Sequence, residues 1–213
     1  ANIAALPPHK DLYAVLVNRF SERLIASGVK VFLGTAPSVA DLAELKPDTL
    51  IVATGSAPVI PRFCEGIANA VTAEDILTGK AKAGQRVLVV GGGMVGSETA
   101  EYLAAQGRSV TVVEMLPQLA KDMEWCARVL LLRRMASLGI KLRSGNEILS
   151  IGAGNAVTVR NEKGREETLS GFDTLVVAVG CRPDNALSAG LPLRRRWRLP
   201  QNGENHGRRP QRL

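Results

Sequence analysis

A chain of 213 residues, 46% of them hydrophobic, can bury one large core or two small ones, and an aromatic content of only 4% points to packing by small aliphatic side chains. No apolar run is long enough to span a membrane and no basic-then-apolar leader opens the sequence. Three widely separated cysteines (Cys64, Cys126 and Cys181) exclude a zinc or iron–sulfur cluster and read as small buried hydrophobes in a reducing cytoplasm. The net charge of +7 gives the folded body no nucleic-acid role, because residues 194–213 hold seven Arg and one Glu and carry +6 of it.

Residues 1–10 read as irregular, with Pro7 and Pro8 as a stop. Residues 11–27 read as a helix, since Leu12, Val15, Leu16, Phe20 and Leu24 recur at helical spacing before Gly28. A short strand is expected over 29–33. Ser38 has the chemistry of an N-cap for a brief helix through Leu45, with Pro47 as its terminator. Residues 48–55, DTLIVATG, read as a buried strand running into a glycine turn. The stretch that follows, to residue 85, holds Pro58, Pro61 and a short helix near 74–77, and reads as a linker.

Residues 86–114, RVLVVGGGMVGSETAEYLAAQGRSVTVVE, carry the chemistry. An apolar run (87–90) has the look of a buried parallel strand. It enters G-x-G-x-x-G at Gly91, Gly93 and Gly96, then a helical stretch closed by Gly107. A second apolar run ends on Glu114, 23 residues beyond Gly91. Gly91 suits a tight turn, Gly93 a close approach of backbone to a pyrophosphate, and Gly96 close packing of helix on strand. The helix start presents free N–H groups and a positive dipole end to phosphates. A site over Gly91, Gly92, Gly93, Met94, Val95 and Gly96 is therefore expected. Glu114 can accept hydrogen bonds from both hydroxyls of an adenine ribose and would repel a 2′-phosphate. Met115 and Leu116 follow it, with no Arg or Lys, so NAD(H) is expected rather than NADP. Glu98 either touches the nicotinamide side of the cofactor or is an acid favoured in a helix's first turn.

Beyond this, residues 122–138 read as a helix ended by Gly139, and 140–142 as a strand. Short alternating segments at 147–151, 156–160 and 166–169 read as an antiparallel meander, and 173–180, DTLVVAVG, as another buried strand. DTLIVATGSAP (48–58) and DTLVVAVGCRP (173–183) align without gaps and share seven of eleven residues. Each follows a helix, a glycine and a strand. The expected class is α/β: a Rossmann-like doubly wound parallel sheet with an antiparallel meander, plus a partial second dinucleotide-binding unit. The glycine loop of the first unit would fall roughly 20 residues before residue 1.

The motifs VVGGGMVGSETA with Glu114, Ala53-Thr54-Gly55, and AVGCRPDNAL from Ala178 are where the chain resembles a known family. Over about residues 9–192 it resembles the carboxy-terminal half of NADH:flavin oxidoreductases of the 2,4-dienoyl-CoA reductase and trimethylamine dehydrogenase type, within the flavoproteins with two dinucleotide-binding domains. The resemblance implies that the glycine loop and Glu114 hold NAD(H), that Ala53, Thr54 and Gly55 lie against FAD, and that Val179 and Gly180 line the nicotinamide site. It implies hydride transfer between nicotinamide and flavin, with no catalytic side chain and no metal assigned. The corresponding division is a partial FAD-binding domain (1–60), a linker (61–85), an NAD(H)-binding domain (86–182), a return toward the FAD domain (183–193) and an Arg-rich tail (194–213) that reads as disordered and as a shifted frame or foreign end. The family's flavin-binding loop, TIM barrel and iron–sulfur cysteines have no counterpart here, so weak NADH binding and little retained FAD are expected. The alternative is a non-catalytic NAD-binding module, or a subunit that completes its flavin site with another chain.

Overall fold

A computed structural model describes residues 2–191 of the chain. The expectations for residues 192–213, the Arg-rich tail included, lie outside the described residues. The described residues divide into two units, one of residues 2–33 and 56–183 and one of residues 34–55 and 184–191.

The first unit is built on a five-stranded parallel sheet of β2 (Ala70–Thr72), β9 (Thr174–Val177), β3 (Arg86–Val90), β4 (Ser109–Val113) and β5 (Lys141–Arg143), in that spatial order. The apolar run of β3 is buried on both faces because successive side chains point opposite ways. Val87 and Val89 join Ile76, Ala100, Leu103, Leu131 and Met135 from the helices α3 (Ala73–Leu77), α4 (Met94–Ala105) and α5 (Trp125–Ser137). Leu88 and Val90 join Leu175, Val157 and Val159 on the other side. That second face is covered by the antiparallel meander β6 (Asn146–Ile151), β7 (Val157–Asn161) and β8 (Glu166–Leu169). The sheet thus lies between helices and meander. Full burial of each such valine or leucine contributes about 1.5–3 kcal/mol.

Several sequence expectations are corrected here. Residues 61–85 are more than a linker, since β2 pairs in parallel with β9 and α3 packs in the core. Helix α5 starts at Trp125 rather than 122, because its N-cap is Glu124, whose carboxylate accepts from Ala127 N at 3.1 Å. Backbone N–H groups of Cys126 and Ala127 hold the Glu124 carboxyl below its ordinary range. The strand at 140–142 lies one residue later, at Lys141–Arg143, leaving Ile140 buried against the helices. Residues 29–33 form no strand, and Val31 and Phe32 are exposed. Of the cysteines, only Cys64 is buried, its thiol pushed up to about 11 by burial; Cys126 and Cys181 are exposed.

The helix expected over 11–27 is α1 (Asp11–Ala26), and its apolar residues Leu12, Leu16 and Phe20 remain exposed. The repeat's two ends meet: β1 (Ser56–Pro58) pairs antiparallel with β10 (Cys181–Pro183), Ser56 opposite Pro183 and Pro58 opposite Cys181. Equivalent residues exchange places across the pair, so a local two-fold relates the two copies there.

In the second unit, Ser38 caps α2 (Val39–Leu45) by a reciprocal capping box with Asp41, and Lys46 ends it in the left-handed conformation. The buried strand expected at 48–55 is absent. Those residues bend at 48–49 and belong to no ladder, and Ile51 is 85% exposed. A short helix, α6 (Ala186–Ala189), completes the described part. Among the described residues no helix is long and apolar enough to cross a membrane, and no cluster of His, Cys, Asp or Glu could hold a metal.

Candidate dinucleotide site

The carboxyl ends of parallel strands are where an open α/β sheet binds ligands. Here β3 runs into Gly91, which has φ +98°, a backbone shape that L side chains avoid. Its N–H donates to Val113 O at 2.8 Å, and a Cβ would stand 2.6 Å from Ala178 O. The turn is therefore pressed against the end of β9. One helical turn on, a Cβ at Gly96 would overlap Gly91 O, so α4 can sit this close only on glycine. Gly92 is equally enclosed, by Leu119 and Glu114. Gly93 differs: a Cβ there would fit, meeting only the Asp122 carboxylate oxygens at 3.8 Å. Gly93 is also the N-cap of α4, in extended conformation, and adds no side chain of its own to the helix end. Closed packing at Gly91 and Gly96, with a less crowded Gly93 between them, fits a diphosphate at the helix N-terminus.

Glu114, at the tip of β4, is 9% exposed. Its Oε2 accepts from Gly92 N at 2.6 Å and its Oε1 from Leu116 N at 2.8 Å. An ionised carboxylate has about four acceptor positions, so two bonds to the backbone leave capacity for ribose hydroxyls. The same bonds lock the glycine loop to the strand beside it. Val179 and Gly180 follow β9 next to this loop, Val179 41% exposed and Gly180 with φ +111°. The structure therefore brings together Gly91, Gly92, Gly93, Met94, Val95, Gly96, Glu114, Val179 and Gly180. Ala53, Thr54 and Gly55 belong to the second unit. There they are exposed chain outside any element, with Thr54 Oγ1 donating to Asp184 O at 2.7 Å and Asp184 N donating to Gly55 O at 3.0 Å.

Glu98 is not in the first turn of α4, which holds no acid. It is 7% exposed and its Oε1 pairs with Lys10 Nζ at 2.5 Å. One turn on, buried Glu101 binds the Arg134 guanidinium of α5, and His9 Nε2 lies 3.8 Å from it. The hydrogen bonds that Arg134 donates to Glu101 hold its guanidinium above its already high ordinary pKa. These groups surround a cavity of about 180 Å³. Sequence reasoning missed Lys10, Glu101 and Arg134. Only the spacing of Glu98 and Glu101, which places both acids on one helix face, signalled part of the cluster.

The parallel sheet, the glycine turn and the acid at the tip of the next strand define a dinucleotide-binding α/β unit. The chain belongs to the pyridine nucleotide-disulphide oxidoreductase family, whose model matches residues 15–204. It is similar to an NADH oxidase of Thermoanaerobacter brockii, 36% identical over 85% of this chain and 28% of the relative. A bilirubin reductase of Mediterraneibacter gnavus is likewise 36% identical, over 86% of this chain and 28% of that protein. Among solved structures, a 2-naphthoyl-CoA reductase complex superposes with a TM-score of 0.79 at 30% identity, covering 88% of this chain and 28% of the other. The chain thus spans 28% of the length of these relatives, and the broad flavoprotein family expected from the sequence is the one found.

Proposed function

We propose that this chain grips NAD(H) by its diphosphate and serves as part of an FAD-dependent oxidoreductase in which hydride passes between nicotinamide and flavin. The observation that carries this reading is the contrast within the loop: Gly91 and Gly96 have no room for a Cβ, and Gly93, at the helix end, has room for one. Gly91, Gly92, Gly93, Met94, Val95 and Gly96 form the diphosphate cradle. Glu114 holds the adenine ribose and disfavours a 2′-phosphate, so NAD(H) is preferred to NADP(H). Glu98, Val179 and Gly180 face the nicotinamide side, with Lys10 neutralising Glu98.

The cofactors supply hydride chemistry when bound, and the protein's task is to position the rings and exclude water. Family membership supports FAD beside NAD(H). The described residues show one glycine cradle, and the exposed chain at Ala53, Thr54 and Gly55 does not form a second, so no flavin geometry is drawn from them. We assign the flavin site to these residues together with a flavin- and substrate-binding portion such as the longer relatives have room for. Oxidase and reductase relatives favour an enzyme over a non-catalytic NAD-binding module. Free cysteines are in keeping with a cytoplasmic location.

Titration of the chain with NADH and NADPH by calorimetry tests the reading. NADH is expected to bind, with NADPH at least about tenfold weaker through like-charge contact with Glu114. Equal binding of both refutes the role of Glu114, and binding of neither refutes the site. A purified chain carrying stoichiometric flavin absorbance would overturn the expectation that it retains little FAD.

A further inference from the structure

The loop after β4, residues 115–124, doubles back over the glycine turn. Leu119 is buried against Gly92, and Ala120 N donates to Gly92 O at 2.7 Å. Arg128 Nε holds Leu119 O at 2.6 Å. Ala120 itself is fully buried with φ +47°, a conformation uncommon for a residue with a side chain. These pins carry the Asp122 carboxylate to the start of α4, where Oδ1 accepts from Met94 N at 2.9 Å. Met94 N is one of the first-turn donors with no partner inside the helix. Among the described residues, nothing accepts from Gly93 N or Val95 N on either side of it. A carboxylate from a different loop therefore takes the middle donor of three, at the end of the helix that would receive a diphosphate, and both its oxygens stand 3.8 Å from where a Cβ of Gly93 would lie.

We infer that Asp122 is a resident counter-anion of the dinucleotide site. It satisfies the helix end when the site is empty, and its charge weakens the grip on the incoming diphosphate. This inference rests on the diphosphate cradle proposed above. Its consequence is a site tuned for release: Asp122 is a positioning and affinity-setting residue whose effect depends on ligand charge.

Asp122→Asn tests it, because the amide oxygen can still accept from Met94 N while the charge is gone. Asp122→Ser is a second neutral acceptor should the first variant fold poorly. Calorimetric titrations of the full chain with NADH, ADP-ribose and adenosine at low and high salt give the readout. The neutral variants are expected to bind NADH and ADP-ribose about five- to tenfold more tightly at low salt, with the gain shrinking at high salt and adenosine unaffected. A purely structural cap would leave the affinity unchanged or reduce it for all three ligands alike. Wild type binding NADH with no gain in either neutral variant overturns this inference alone. Failure of both wild type and variants to bind any diphosphate overturns it together with the site reading.

Discussion

Residues 48–58 and 173–183 share seven of eleven residues and take different structures. In the second copy, the DTLVV core enters the sheet as β9, paired with β2 on one side and β3 on the other, and Leu175 and Val176 are fully buried. In the first copy, Ile51 stands where Val176 stands in the second and is 85% exposed, on chain that forms no ladder. Only the last three residues of each copy, β1 and β10, behave alike, and they do so by pairing with one another. An apolar run states what a segment is able to bury. Neighbouring strands on both edges decide whether it becomes a strand, since backbone donors and acceptors must find partners before burial is favourable.

The largest effect expected from this contrast comes from a charge placed at the matched positions. Val176→Asp should cost about 3–5 kcal/mol or abolish folding, because the carboxylate would be buried unpaired in the core. Ile51→Asp should shift stability by no more than about 0.5 kcal/mol. Urea denaturation of the two variants side by side measures this, and equal losses would show that residues 48–55 are as deeply structured as β9.

Gly96→Ala comes next in size. Its Cβ would overlap Gly91 O and drive α4 away from β3. A loss of about 1–3 kcal/mol in stability is expected, with NADH affinity down at least about tenfold as the helix end leaves the cradle. Gly55→Ala, at an open glycine of the first copy, should strain only its own left-handed backbone and leave NADH binding intact.

The smallest effect concerns Asp173, the first residue of the second copy. The Arg86 side chain and backbone N–H both donate to its carboxylate, at 2.9 and 2.8 Å, and hold it below its ordinary 3.8. A folded-state value below the unfolded one means a contribution to stability that is present above pH 3.8 and lost as pH falls through the folded value. Asp173→Asn should therefore flatten the fall in denaturation midpoint below about pH 4 without changing the curve's shape near neutrality. An unchanged acid limb would contradict the Arg86 pairing.

What could be read from the sequence was what local chemistry dictates. The glycine turn, the Ser38 N-cap, the helix ended by Gly107 and the three strands of the meander each follow from residues within a few positions of one another. What escaped depends on long-range partners. Strand β2 is three residues long, too short for a periodic signal, and exists because β9 lies beside it. Asp122 has the side chain of a helix N-cap and does cap a helix, yet the helix is α4, 28 positions back along the chain. Lys10 against Glu98, and Arg134 against Glu101, join segments with no spacing rule to connect them.

If the α4 end, at Gly93 and its neighbours, receives a diphosphate, its backbone amides must sense one. Titrating an isotope-labelled chain with ADP-ribose and following the amide resonances of Gly92, Gly93, Met94 and Val95 tests it most directly. These four amides are expected to move first and furthest, saturating together with the bulk affinity, while amides of 48–55 stay in place. Shifts centred elsewhere, with the four amides unmoved at saturation, would contradict the account.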